Sequence, residues 1–468
     1  MKKILIAGVV VVAAVALAGP RVVGLQFESQ VNSIVASVND MPLYRASVTT
    51  MDSGWFSSTA EVNIGMDIPG FEDTELAATD FSFNILVEGN HGPILTADGF
   101  AIGWLHTQIK TNAKKLPDGF VAKDDAPIYS FNGVTGLFGG TAYKDVVAPF
   151  TYTDTETQTV VEFSGMNGNG NISGNTLSYA STGDSLNMDI GSVLTFNMNS
   201  LSLDMDAKAD LASILNQELY DSVANITIAS MSFNNSMDNS SSEMENMRID
   251  IVSDYDEAND LADIKFGTKL ASVISPETTL KDLVLDIEVN NIQGAFITAY
   301  NKLSGEMLEL ATEPDASMAL MQTFMQEYAL GQLQAEPEYN FTNISGKIND
   351  SDFSGNIAAK LTGITELPAT MEDPSFWLEH ALVDSKMTMQ KGAALYFATQ
   401  MVNSQLAANP QFMAMSPEEQ KQIVDQQAVA TLDGLAQQGM VTVDGETYEL
   451  IFTMEDSVAL LNGNPIPL

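Results

Sequence analysis

The chain has 468 residues, with 20 basic against 61 acidic side chains, a formal net charge of −41 and no cysteine. A surface so strongly anionic repels nucleic acid and anionic lipid headgroups as electrostatic partners and keeps a large body dispersed in water. The lack of cysteine excludes disulfides, thiolate metal sites and a cysteine nucleophile, while 45% apolar residues supply a sizeable core.

Lys2 and Lys3 precede ILIAGVVVVAAVALAG, residues 4–19, which carries no charge. Basic residues stay on the cytoplasmic side, so the chain beyond this stretch is expected to be exported. Ala16-Leu17-Ala18 resembles a small-residue cleavage site. Beyond it, however, Leu25, Phe27, Val31, Ile34, Val35 and Val38 continue at helical spacing. The expectation is therefore a retained transmembrane anchor over 1–21 running into an exported helix over 22–40.

From 41 to 292 the pattern is that of antiparallel strands. Tyr44, Ala46, Val48 and Thr50 alternate with polar neighbours, and Asp52-Ser53-Gly54 is a turn. Phe56, Ser58, Ala60, Val62 and Ile64 then share one face. This predicts a hairpin over 44–66 with Phe56, Val62 and Ile64 buried and Trp55 over the polar face beside the turn. A further strand at 80–87 ends in GNHGP, residues 89–93, which reads as turn punctuation. Between 152 and 292 come SLNMDI, LTFNMNSLSLDMD, ITIASMSF, MRIDIV and LVLDIEV, each alternating apolar with polar residues, as in a sheet with one wet face. A short helix is expected at 211–219.

The region 293–468 is expected to add helices and complete the sheet. Helical spacing runs from Gly294 to Leu333 with a break near Pro314, and again over 393–408 and 417–438, where Ser416 and Glu419 form a capping box. Strands are expected at 339–348 and 353–361, and a C-terminal hairpin turns at Asp444-Gly445. The fold class is thus α+β and β-rich: an N-terminal anchor helix, a long curved, mainly antiparallel sheet, and helices covering it in the C-terminal half.

Chemistry is sparse along the chain. His91 lies in the glycine and proline turn, where capping is its ordinary role and a catalytic one the alternative. His106 belongs to no recognisable motif. His380 and Asp384 are four apart and could meet on one helical face, but two ligands do not define a zinc site. DSDFSG at 350–355 opens like a calcium loop, yet its twelfth place is Leu361; DMDAKAD at 204–210 lacks the glycine. Both read as turns between strands. There is no nucleophile elbow, phosphate loop or dinucleotide fingerprint. No catalytic, cofactor-binding or metal-binding residue is assigned, and no cofactor.

Three segments carry a resemblance: the lysine-flanked anchor, SGWFSS at 53–58 with FNILVEGNHGP at 83–93, and YELIFTMEDSVALLNGNPIPL at 448–468. In that order they resemble the YdgA-like bacterial proteins, a family of unknown function. The resemblance implies a helix anchored in the bacterial inner membrane and a body in the periplasm, and leaves a homodimer open. It brings no catalytic residues. By analogy alone, the alternating strands also have the style of AsmA-type envelope proteins.

Two functions are expected in competition. The first is a non-enzymatic envelope protein that binds a lipid, another hydrophobic ligand or an envelope protein partner on the sheet. Its helices carry Met307, Met318, Met321, Met325, Met401, Met413 and Met415, whose thioethers suit adaptable apolar surfaces as well as cores. The alternative is a periplasmic hydrolase with dispersed Asp, Glu and His. A continuous apolar groove would favour the first, and a closed pocket with His91 or His380 beside carboxylates the second.

Overall fold

A computed structural model describes residues 2–466 apart from 42, 67–81, 97–98, 112–118, 124–125, 211–212, 215–217, 311–312, 369, 372 and 408, with the backbone alone for 2–19 and 309. The side chains of the expected anchor and most of the helix expected at 211–219 lie outside the described residues. Among the described residues no helix is long and apolar enough to cross a membrane. The chain forms two compact units, 1–227 with 297–327 and 228–296 with 328–468.

In the first unit the helix Lys2–Asn39 runs through Pro20 and lies along a run of antiparallel strands. Tyr44–Ser53, Ser57–Met66, Ser82–His91, Leu105–Thr111, Tyr129–Thr135 and Thr141–Val147 pair in succession. Met166–Ser173, Thr176–Ile190 and Leu194–Ala207 continue the sheet. The apolar stripe read from the sequence is the docking face. Phe27 and Val31 pack on Ala46, Ala60 and Val62, with Val35 and Val38 beside them. Polar contacts fix both ends of the helix's second half, which packs on the sheet: Arg21 Nη1 donates to the Ser53 carbonyl at 2.8 Å, and Asn39 Nδ2 to that of Ala46 at 2.9 Å. The helix therefore runs antiparallel to its first strand.

The predicted hairpin is present, with one correction. Ala60 and Val62 are buried and Ile64 packs on the same cluster, but Phe56 is exposed. The Gly54 amide bonds the Ser57 carbonyl at 2.9 Å, so Trp55 and Phe56 belong to the turn and the strand begins at Ser57. A residue in a turn does not inherit the face that alternation assigns it.

In the second unit a run of seven strands pairs in order, all antiparallel: Ser240–Asp256, Leu261–Ile274, Thr279–Gln293, Glu338–Ile348, Ser351–Leu361, Ala381–Gln390 and Thr447–Glu455. The helices Lys391–Leu406 and Pro417–Gln437 form close to the predicted bounds. They pack on each other through Ala398, Val402, Phe412, Val424 and Ala428. The capping box is made in full: Ser416 accepts from the Glu419 amide, and the Glu419 carboxylate accepts from that of Ser416 at 3.0 Å. The hairpin turn at Asp444-Gly445 is also present, with Gly445 at φ +61°. The helical stretch from Gly294, of which 297–327 belong to the first unit, resolves into Gly294–Glu309, Pro314–Phe324 and Leu330–Gln334, with a π-helical turn at Met325–Ala329.

Candidate functional site

The register of the second unit's strands places apolar residues side by side. One row reads Ile251, Phe266, Ile287, Phe341, Ile357, Ser385 and Phe452 across all seven strands. The next reads Ile249, Thr268, Leu285, Ile344, Gly355, Met387 and Leu450. A bulge between Phe341 and Ile344 keeps both on this face. On the opposite face the pairs are polar. Lys265 meets Glu288 at 3.7 Å, Lys360 meets Glu338 at 3.2 Å, and Lys386 meets Glu449 at 2.6 Å. Each strand thus has one wet face and one apolar face, in keeping with the alternation of its sequence.

A sheet normally buries its apolar face against another layer. Here the cover is incomplete. The six apolar residues of the first row keep an intermediate exposure, while Ser385, between Ile357 and Phe452, is buried. Cover is present where the helix Lys391–Leu406 packs across the strands from Glu338–Ile348 to Thr447–Glu455: Phe397 meets Phe353 edge to face, with ring centroids 5.8 Å apart. Between that helix, Pro417–Gln437 and the sheet lies an apolar cavity of about 190 Å³. Met387, Met389 and Leu450 line it from the sheet, Phe397 and Met401 from one helix, and Leu435 from the other. That is less than a drug-sized ligand fills, but enough for part of an alkyl chain. The row of half-covered side chains runs beside it, because Met387 and Leu450 stand in the neighbouring row and line the cavity as well.

Of the methionines singled out in the sequence, only Met401 lines this cavity. Met307, Met318, Met321 and Met325 fall in the first unit, and Met318 and Met413 are largely exposed. Sequence reasoning misses Met387 and Met389, although the alternation of LVDSKMTM at 382–389 marks a strand.

The histidines do not assemble a catalytic set. His380 ends the helix Pro374–His380 and Asp384 lies in the next strand, so they share no helical face. His380 Nδ1 is 2.9 Å from the Thr362 carbonyl. His106 is buried with Nε2 2.8 Å from Asn132 Oδ1. His91 is buried under the N-terminal helix, with Nδ1 3.1 Å from the Trp55 carbonyl. Burial, with Arg21 nearby, holds its pKa below 6.5 against the carbonyls of Trp55 and Pro20, which raise it. The strand expected at 80–87 runs on to His91, so residues 89–91 are strand and not turn; a side chain at Gly24 would strike the His91 ring, so this glycine lets the helix approach the strand end. Asp350 of DSDFSG pairs with Lys281 at 2.9 Å in a hairpin turn, and DMDAKAD begins at the end of a strand. Among the described residues no three His, Cys, Asp or Glu side chains gather as metal ligands.

A second buried polar group lies in the first unit. Asp145 is 9% exposed, and Tyr179 donates to its Oδ2 at 3.1 Å. Its Oδ1 has no hydrogen-bond partner among the described residues. Burial first, then the Asp145 charge, pushes Tyr129 up to about 12 and raises Tyr143. The Tyr143 ring stacks between Phe131 and Tyr179, at 5.2 and 6.2 Å.

Compared with known proteins, the chain matches over residues 1–468 the family described as bacterial protein of unknown function (DUF945). No curated protein matches it.

Proposed function

The chain belongs to the DUF945 family, and from that premise we propose that it is a non-enzymatic protein of the bacterial envelope that holds an acyl chain of a lipid on the apolar face of its second unit. The observation that carries this reading is the row from Ile251 to Phe452, apolar at six of seven positions and half-covered on every one of the six. Apolar area left against water costs about 25 cal/mol per Å², and an alkyl chain laid along the row recovers it. The cavity beneath the helices takes the end of the chain. Its methionines adapt to chains of different shape.

The anchor belongs to the same reading. Lys2, Lys3 and the uncharged stretch at 4–19 support an inner-membrane helix with the body in the periplasm, where lipid is at hand. The histidine partners support the non-enzymatic side: carbonyls, an amide and an aromatic ring surround them rather than carboxylates. A fluorescent fatty acid titrated into the purified full chain tests the reading. Emission should rise saturably with the native protein. Phe341→Asp, which sets a charge in the middle of the row, should weaken binding at least tenfold while the protein stays folded. Equal binding by the two proteins would remove the face as the site.

A further inference from the structure

One end of the first unit carries large, exposed apolar side chains. They stand in three neighbouring turns. Trp55 and Phe56 form the tip of the first hairpin. Ile94 and Ile102 face each other in a two-residue ladder, with Phe100 before it. Phe138 tips the turn after Thr135 and is wholly exposed; Phe100 is 76% exposed.

Hydrogen bonds hold these turns together. The His91 amide donates to the Phe56 carbonyl at 2.8 Å and the Gly92 amide to that of Trp104 at 2.7 Å. The Trp104 amide donates to the Thr135 carbonyl at 2.9 Å, and its indole to that of Leu137 at 3.0 Å. Gly92 packs so closely on the Gly103 carbonyl that no side chain would fit there. The tips are thus presented by a fixed scaffold.

Two facts say what this end faces. The helix Lys2–Asn39 meets it at Arg21, bonded to Ser53, and Gly24, bonded to the Ser53 hydroxyl at 3.2 Å. Since the helix runs antiparallel to the first strand, the residues before Pro20 emerge beyond this end, and those are the uncharged residues 4–19. In addition, a chain of net charge −41 leaves these turns almost free of charge. The runs 53–60, 89–97, 99–107 and 134–143 hold no Asp, Glu, Lys or Arg, and Asp98 alone separates the second from the third.

We propose that this end of the first unit is a membrane-contact surface whose apolar tips insert into the interfacial layer of the bilayer; this rests on the reading of 4–19 as an anchor. Tryptophan and phenylalanine suit that layer, where ring faces meet acyl chains and the indole finds water or headgroups. The acidic surface elsewhere is repelled by anionic lipid, so contact by uncharged tips is the form open to this chain. Such a contact is insensitive to salt. It holds the sheet at a set angle to the membrane, which a single helix does not.

The absence of cysteine makes the test clean, because one introduced thiol is the only label site. The full chain is reconstituted in phosphatidylcholine vesicles as Phe100→Cys, Phe138→Cys or Tyr44→Cys, each carrying a nitroxide. Tyr44 is exposed and starts the strand, two residues before Ala46, which is bonded to Asn39, about 27 Å along the helix axis from Arg21. Labels at 100 and 138 should collide with oxygen and be shielded from a water-soluble nickel complex, at low salt and at ~0.5 M salt alike. The label at 44 should collide freely with nickel. If the protein floats with vesicles but the labels at 100 and 138 are open to nickel, the contact surface is wrong and the anchor stands. If those two labels are shielded from both reagents, a protein covers the tips and the proposal falls. If the protein does not float at all, the anchor fails and the proposal with it.

Discussion

At the scale of single residues the first strands give the sharpest readings. Alternation places Val62 and Phe56 on one buried face, yet Val62 is 5% exposed and Phe56 60%. The difference is the bond from Gly54 to Ser57, which keeps Phe56 in the turn. Val62→Asp should therefore cost about 3–4 kcal/mol by burying an unpaired charge, while Phe56→Ser should stay within about 0.5 kcal/mol. Urea unfolding of both variants checks this, and equal losses would contradict the assignment. His91 carries a pH dependence. Its folded pKa lies below the ordinary 6.5, so the unfolded chain takes up a proton first as pH falls. Stability from this group is complete above 6.5 and declines below it, down to the folded pKa. Trp55, Pro20 and Arg21 are the groups around it, and only Arg21 is charged. The melting temperature should drop less between about pH 7 and pH 5 in His91→Gln than in the native protein. Parallel profiles would show that burial does not hold the ring neutral.

At the scale of elements, periodicity carries most of the information. The helices Lys391–Leu406 and Pro417–Gln437 and the strands Glu338–Ile348 and Ser351–Leu361 lie within two residues of where spacing puts them. The capping box is legible because its two residues are local and each satisfies the other's backbone. Ser416→Ala should lose about 1 kcal/mol of stability and fray the start of the helix, which hydrogen exchange at the amides of 418–420 would report. No change in exchange there would mean that helix packing alone holds this end. The region 374–390 is harder to read. His380 and Asp384, four apart, suggest a helix, but Asp373 and Pro374 start a helix that stops at His380. The alternating stretch after it is a strand. That strand brings Met387 and Met389 to the cavity, so misplacing it also hides the sheet side of the candidate site.

At the scale of the molecule, alternation says that an apolar face exists but not what covers it. Cover is a property of distant elements: the helix at 391–406 reaches the strand at 351–361 through Phe397 and Phe353, a contact no local pattern encodes. The row, half-covered at its six apolar positions and buried at Ser385, becomes visible only once the register is known. That this row holds lipid is tested most directly by native mass spectrometry of the full chain, extracted gently from membranes. The expected result is a protein peak carrying the added mass of a lipid or fatty acid, lost in Phe341→Asp. A native protein that appears only at the mass of the bare chain, or an adduct that Phe341→Asp retains, would contradict it.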